Sequence, residues 1–154
     1  MRKVLLLCTL AAMIPAAANA EALTTAYGPR LGFSTDPDQL VVGGQIELGE
    51  MAPDLTFIPN IELGFGDNVT TIQLNADVHY HFRVSGSAWR PYVGGGLGIA
   101  FYDFDNGAGS DSEFGLNVIG GSIVPTKGGS RFFVELKLAT SDLPSVKGLV
   151  GWNF

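Results

Sequence analysis

The chain has 154 residues, a formal net charge of −6 and a single cysteine, Cys8. The acidic balance argues against nucleic acid as a partner, because phosphate contacts require clustered lysine and arginine. No segment contains the roughly 18 consecutive apolar residues that a membrane-spanning helix needs. The sequence has no convincing helical periodicity beyond residue 14, so it favours an all-β domain.

The first twenty residues have the organisation of a secretory signal peptide. Arg2 and Lys3 precede a short apolar run at residues 4–14, and the segment ends in the A-x-A pattern that closes at Ala20. We predict a signal peptide at residues 1–20 and a single domain at residues 21–154. Cleavage also removes Cys8, so the mature chain must be held together by packing or by a closed hydrogen-bond network.

The stretch Thr71–Arg83 alternates between apolar and polar side chains over its whole length. The apolar face contains Ile72, Leu74, Ala76, Val78, Tyr80 and Phe82. The polar face contains Thr71, Gln73, Asn75, Asp77, His79, His81 and Arg83. Period-two alternation indicates a β-strand, and a tilted strand of about 9–11 residues crosses a bilayer. We predict that the apolar face meets lipid; the alternative is a soluble barrel or sandwich with that face inside.

The remaining chain reads as seven further strands separated by turn sequences such as Thr35–Asp38. The eight predicted strands lie at about 27–34, 39–49, 55–66, 71–83, 89–104, 113–124, 130–140 and 145–154. Pro59 is expected at an edge or a bulge because it lacks an N–H group. In the sixth strand, Ile119 and Ile123 fall on the opposite parity from Phe114. The predicted fold class is all-β, an eight-stranded antiparallel up-and-down transmembrane β-barrel.

Two short motifs resemble those of a known group of membrane proteins. Residues 90–98 read RPYVGGGLG and the last four residues read GWNF. With the strand pattern, they resemble the small eight-stranded outer-membrane β-barrel proteins of Gram-negative bacteria, the group that includes the OmpA transmembrane domain and OmpX. Trp152 and the terminal Phe154 resemble the signal that the outer-membrane assembly machinery reads.

This resemblance implies a monomeric integral protein of the outer membrane with both termini in the periplasm. Its implied partners are outer-membrane lipid or lipopolysaccharide, the assembly machinery and periplasmic chaperones. The implied role is structural or interactive within the envelope. The alternatives are a narrow porin-like channel for small solutes or ions, and a lipid A-modifying enzyme.

Charged side chains on the predicted inner faces form the main candidate site. They are Arg30, Glu47, Glu62, Asp77, His79, His81, Arg83, Arg131, Glu135, Lys137 and Lys147. An eight-stranded barrel is just wide enough for side chains to fill its interior, and buried charges must be paired. We expect a barrel-interior charge network that acts as a structural plug, with a gated narrow pore as the alternative.

Other candidate sites are less well supported. Asp77, His79 and His81 share one strand face and could ligate a metal, but any polar lining produces this pattern. Ser85 follows His81 in a predicted turn, without the His-x-Ser-Asn pattern of the deacylases. The acidic loop at residues 103–113 has Phe114 where a calcium loop needs its bidentate Glu. We therefore predict no enzyme activity, catalytic residue, cofactor or metal.

The loops on the predicted extracellular side share an acidic character. Their aspartates are Asp36, Asp38, Asp67, Asp105, Asp111 and Asp142. Divalent cations that bridge this rim to lipid phosphates are a further hypothesis.

Overall fold

The computed structural model describes residues 24–104, 109–140 and 143–154, which form a closed antiparallel barrel. Its strands are β1 Thr24–Thr35, β2 Gln39–Ala52, β3 Leu55–Gly66, β4 Val69–His81, β5 Arg90–Phe104, β6 Gly109–Pro125, β7 Arg131–Ala139 and β8 Val146–Asn153. The predicted eight-stranded up-and-down fold is therefore confirmed. The predicted signal peptide and its cleavage site lie outside the described residues.

The barrel closes where the last strand meets the first. Strands β8 and β1 pair from Arg30–Gly151 to Thr35–Val146, and the terminal Phe154 extends the seam. Its backbone N–H donates to the carbonyl of Tyr27 at 2.8 Å, and the N–H of Tyr27 donates back at 3.2 Å. Closure pairs each strand with a neighbour on both sides, so the barrel has no free edge strand.

Alternation along the strands produces two walls of opposite character. In β4 the odd-numbered residues are buried, and the even-numbered residues are partly or fully exposed on the outside. The exposed large side chains of the outer wall include Leu31, Phe33, Phe65, Leu97, Phe114, Leu116, Val118, Val134, Leu136 and Leu138. The buried polar and charged side chains include Arg30, Glu62, Asp77, Glu135, Lys137 and Lys147. The polar interior and apolar exterior are the reverse of a water-soluble core.

Several boundaries differ from those expected from the sequence. Strand β6 begins at Gly109, so residues 109–111 of the predicted loop 105–111 belong to the strand. Strand β4 ends at His81, two residues before the predicted end. Pro59 pairs with Ala76 within an unbroken β3–β4 register, so the expected edge or bulge is absent on that side. On the other side, the β2–β3 pairs pass from Gln45–Asn60 to Leu48–Phe57, so Pro59, which lacks an N–H group, lies at a gap in that ladder.

The two ends of the barrel are named here by what they contain. The terminal end carries Phe154 and the connections at 53–54, 82–89 and 126–130. The distal end carries those at 36–38 and 67–68, together with residues 140 and 143–145. Within the described ranges, no helix has the length and apolar character of a membrane-spanning helix.

Candidate functional site: the barrel lumen

Glu62 is the hub of the charges in the middle of the lumen. Its carboxylate accepts hydrogen bonds from Lys137 at 3.1 Å and Lys147 at 2.5 Å, and Arg30 lies 3.2 Å away. These three cations come from β7, β8 and β1, so one carboxylate on β3 ties four strands together. All four side chains are almost completely buried.

Two further carboxylates balance the remaining donors of the same cations. Asp77 accepts from Lys137 at 2.8 Å, and Glu135 accepts from Arg30. The Tyr92 hydroxyl also donates to Glu135 at 2.9 Å. The resulting central charge cluster is made of Arg30, Lys137, Lys147, Glu62, Asp77 and Glu135. Three cations thus meet three anions, which is the pairing that buried charges require.

Neutral amide side chains extend this cluster across the lumen. Asn60 donates to Asp77 at 2.7 Å and accepts from Asn75 at 2.9 Å. Asn75 in turn accepts from Gln73 at 2.7 Å and from Asn117 at 3.0 Å. The Lys147 ammonium closes the circuit by donating to Gln73. These hydrogen bonds join side chains of β3, β4, β6 and β8 across the lumen.

Glycines on β5 provide the room for these side chains. A Cβ at Gly96 would collide with the Asp77 carboxylate, and one at Gly94 would lie 2.8 Å from the His79 ring. The ring of His79 stacks on Tyr92 with centroids 4.5 Å apart. The RPYVGGGLG segment therefore contributes both Tyr92 and glycines that leave room for the interior side chains.

The distal end of the lumen is closed by apolar packing. Leu143 is 1% exposed and packs with Val69, Ala100 and Tyr102, a group called the distal seal below. A Cβ at Gly98 or Gly115 would lie 3.1 Å or 2.9 Å from Leu143. Because Gly98 and Gly115 have no side chains, there is room beside them for the side chain of Leu143 in the β7–β8 connection.

The terminal end of the lumen is instead polar and open. Arg131 donates two hydrogen bonds to Glu47, at 3.2 and 3.0 Å. Beside this pair lies a cavity of about 330 Å³, called the terminal cavity below. Its walls are formed by Glu47, Glu50, Thr56, His81, Arg90, Ile123 and Arg131.

The sequence-based placement of Arg83 inside the barrel is wrong. Arg83 follows the end of β4, and its side chain is 74% exposed. It lies outside the lumen beside Asp54, to which it donates a hydrogen bond at 2.9 Å. This bond raises the pKa of the Arg83 guanidinium. The alternation of β4 does not extend past His81, because the chain turns there.

The structure places the other predicted interior residues in two groups. Arg30, Glu62, Asp77, Glu135, Lys137 and Lys147 form the central cluster, with His79 beside it, whereas Glu47, Arg131 and His81 line the terminal cavity. Sequence reasoning missed the apolar patch that separates them. Tyr92, Ile119, Ile123 and Phe133 pack together inside. In the sequence, this patch was indicated by Ile119 and Ile123, which fall on the opposite parity from Phe114.

Asp77, His79 and His81 lie on the lumen face of β4. Within the described part of the chain, no group of three or more His, Cys, Asp and Glu side chains is arranged to hold a metal ion. Asp77 is held by Lys137 and Asn60, and His79 lies 3.7 Å from Glu135.

The two aromatic residues of the predicted assembly signal lie on the outer wall. Trp152 is 44% exposed and Phe154 is 61% exposed. The Trp152 ring contacts Phe132 of β7, with centroids 4.9 Å apart. Both rings therefore face the surroundings at the seam where the barrel closes.

The fold is shared with solved outer-membrane proteins. The N-terminal β-barrel domain of Pseudomonas aeruginosa OprF aligns with a TM-score of 0.67 and 17% identity, covering 86% of this chain and 98% of that one. Neisserial surface protein A gives 0.64 and 13%, covering 83% and 93%. The outer membrane enzyme PagL gives 0.52 and 10%, covering 84% and 97%.

Comparisons of sequence found no match to this chain. No family model matches the chain, and no curated protein matches it. The chain therefore has the fold of small eight-stranded outer-membrane barrels, and the resemblance expected from its sequence is confirmed at the level of that fold.

Proposed function

We propose that this chain is an integral outer-membrane β-barrel protein with a structural or interaction role in the Gram-negative envelope. The proposal rests on the polarity of the two walls, which is the reverse of that in a water-soluble protein. A continuous apolar outer wall surrounds a lumen that contains buried ion pairs. An apolar surface of this extent marks a membrane or partner interface, and a closed barrel is one of the two structures that satisfy the backbone in lipid.

The positions of aromatic side chains support a transmembrane orientation. Tyr27, Tyr80, Trp89, Trp152 and Phe154 are exposed near the terminal end, and Phe33, Phe65, Phe101 and Phe114 are exposed toward the distal end. Aromatic residues are enriched at both membrane interfaces. In this proposal residues 1–20 are a cleaved signal peptide, and the terminal end faces the periplasm. Lipid or lipopolysaccharide covers the outer wall of a monomer, and Trp152 and Phe154 are read by the assembly machinery and its chaperones.

We assign the lumen a plugging role rather than a conducting one. The central charge cluster crosses the lumen, and the distal seal closes one end of it. A conducting state would have to separate buried ion pairs and displace Leu143 together. Separation of one buried pair alone costs about 3–5 kcal/mol.

We also propose that the protein is not an enzyme. Both histidines point into the lumen, where His79 stacks on Tyr92 and His81 lies 5.5 Å from the same ring. Ser85 lies in the connection after β4 and is exposed. Neither histidine is therefore oriented toward Ser85 as a nucleophile–base pair would require. Unchanged lipid A in a deletion strain is the expected result.

The location is tested by a gel of fractionated membranes, run with unheated and boiled samples. The proposal predicts that the protein is in the outer-membrane fraction and migrates differently before and after boiling, because a closed barrel resists detergent. A protein in the soluble periplasmic fraction, with no change on boiling, would refute the proposal.

The alternative of a narrow porin-like channel is tested by recording from planar bilayers. We expect no discrete conductance from the wild-type protein. Leu143→Gly supplies the matched comparison, because it removes the Leu143 side chain from the distal seal but keeps the central charge cluster. Steady conductance from the wild-type protein would favour the channel.

A further inference from the structure

The terminal cavity brings opposite charges together on facing walls of the lumen. We propose that it binds a small zwitterion, such as an α-amino acid or a short peptide with free termini. Its acidic wall is Glu47 and Glu50 on β2, and its basic wall is Arg90 on β5 and Arg131 on β7. In a ring of eight strands, β6 lies opposite β2, and β5 and β7 lie on either side of β6. The two walls therefore face each other.

The basic wall retains hydrogen-bond donors for a ligand carboxylate. Arg90 reaches Asp54 only at 3.4 Å, whereas strong charge-assisted bonds are about 2.7–2.9 Å. Asp54 is held more closely by Arg83, at 2.9 Å. The side chain of Arg90 is 42% exposed, so its planar guanidinium is accessible for bidentate contact with a carboxylate.

His81 provides a reporter for the contents of this cavity. This residue is 5% exposed and lines the cavity. Its imidazole lies between the cavity and Tyr92, whose ring centroid is 5.5 Å away. A ligand that enters the cavity therefore changes the surroundings of this ring.

Size and net charge select the class of ligand. A volume of about 330 Å³ lies at the lower end of the range of about 300–1,000 Å³ for ligand pockets. Glu47 and Arg131 pair with each other, so the charges that face a ligand are one of each sign, Glu50 and Arg90. A neutral molecule with separated charges therefore matches the cavity better than a simple anion or cation does. Ile123 provides an apolar surface for the carbon skeleton.

The experiment uses the two histidines as reporters. The chain contains only His79 and His81, so the purified protein with isotope-labelled histidine gives two imidazole signals in detergent micelles. They are assigned with His81→Gln. Diglycine is the probe, and N-acetylglycinamide, which has no charged terminus, is the matched control. We expect diglycine to shift the His81 signal saturably and to leave His79, which lies beside the central cluster, unmoved.

Variants separate the two walls. Arg90→Gln and Glu50→Gln should each weaken diglycine binding by about fivefold. Lys127→Gln, a change in an exposed turn at the same end, should leave it unchanged. The change in gel mobility on boiling checks that each variant is folded. Absence of a saturable His81 shift, an equal shift with N-acetylglycinamide, or wild-type affinity in both wall variants would overturn the proposal. The readout requires only a folded barrel, so it is independent of the proposed membrane location.

Discussion

The two ends of the lumen differ in the side chains that line them. At the distal end, Leu143 is enclosed by the apolar residues of the distal seal. At the terminal end, Arg131 and Glu47 pair across the opening, with side chains 30% and 10% exposed. Between them lies the central charge cluster, whose side chains are at most 2% exposed.

This difference separates stability from accessibility. Packing and fully buried ion pairs do not respond to salt or to small solutes, because water does not reach them. A partly exposed pair is screened by salt and can exchange partners. The middle and distal parts of the lumen therefore hold the barrel together, and the terminal end is the part of the lumen suited to binding.

The largest effect is expected from Glu62→Gln in the central cluster. The amide removes the charge shared by Arg30, Lys137 and Lys147. Three buried cations then share two carboxylates, and Lys147 is left without a carboxylate partner. We expect a loss of about 3–5 kcal/mol in the free energy of unfolding. Urea unfolding in lipid vesicles, followed by the fluorescence of Trp89 and Trp152, measures it. A loss below that of Glu47→Gln would contradict the assigned role of the cluster.

Leu143→Ala tests the distal seal. It leaves a cavity over Gly98 and Gly115, and we expect a loss of about 3 kcal/mol. Leu136→Ala on the outer wall is the control, because Leu136 is 50% exposed and lipid tails replace its contacts. Equal losses at both positions would mean that Leu143 does not seal the lumen.

Gly96→Ala tests whether the interior is filled. A Cβ at Gly96 would collide with Asp77. A Cβ at Gly95, on the outside of the barrel, would lie 3.4 Å from its nearest atom. Over-packing at Gly96 should cost about 1–3 kcal/mol, with Gly95→Ala close to neutral. Thermal unfolding of both variants, monitored by the loss of the unheated gel band, distinguishes the two. Equal midpoints would indicate a lumen with spare room.

The smallest effect is expected from Glu47→Gln at the terminal end. Its pair with Arg131 is partly exposed, so we expect a loss of about 0.5–1 kcal/mol. The difference from wild type should shrink as salt is raised, whereas the Glu62→Gln difference should not. Unfolding measured at low and high ionic strength provides this test, and a salt-independent loss at Glu47 would contradict the comparison.

The fold was predictable because one rule governs all eight strands. Period-two alternation defines both walls of β4, and an even number of strands returns the chain to its starting end. The rule failed at Arg83, because periodicity does not indicate where a strand stops and the chain turns.

The pairing inside the lumen was not predictable from single strands. Glu62 meets Lys137 and Lys147 because the register of closure brings β3 opposite β7 and β8, and no local pattern encodes that register. Leu143 lies in a connection, and its insertion depends on Gly98 and Gly115 of two other strands. Phe133 is apolar but faces inward among charged side chains. A rule that places apolar side chains outside and polar side chains inside therefore assigns it to the wrong wall.

The proposed membrane orientation places the apolar outer wall in lipid and encloses the charged wall. Tryptophan quenching distinguishes this arrangement from a soluble barrel, because Trp89 and Trp152 are the only two tryptophans and both are exposed on the outside. For protein in vesicles, we expect strong quenching by brominated lipids and weak quenching by aqueous iodide. Strong quenching by iodide, with no effect of brominated lipids, would mean that the outer wall meets water and would refute the membrane orientation.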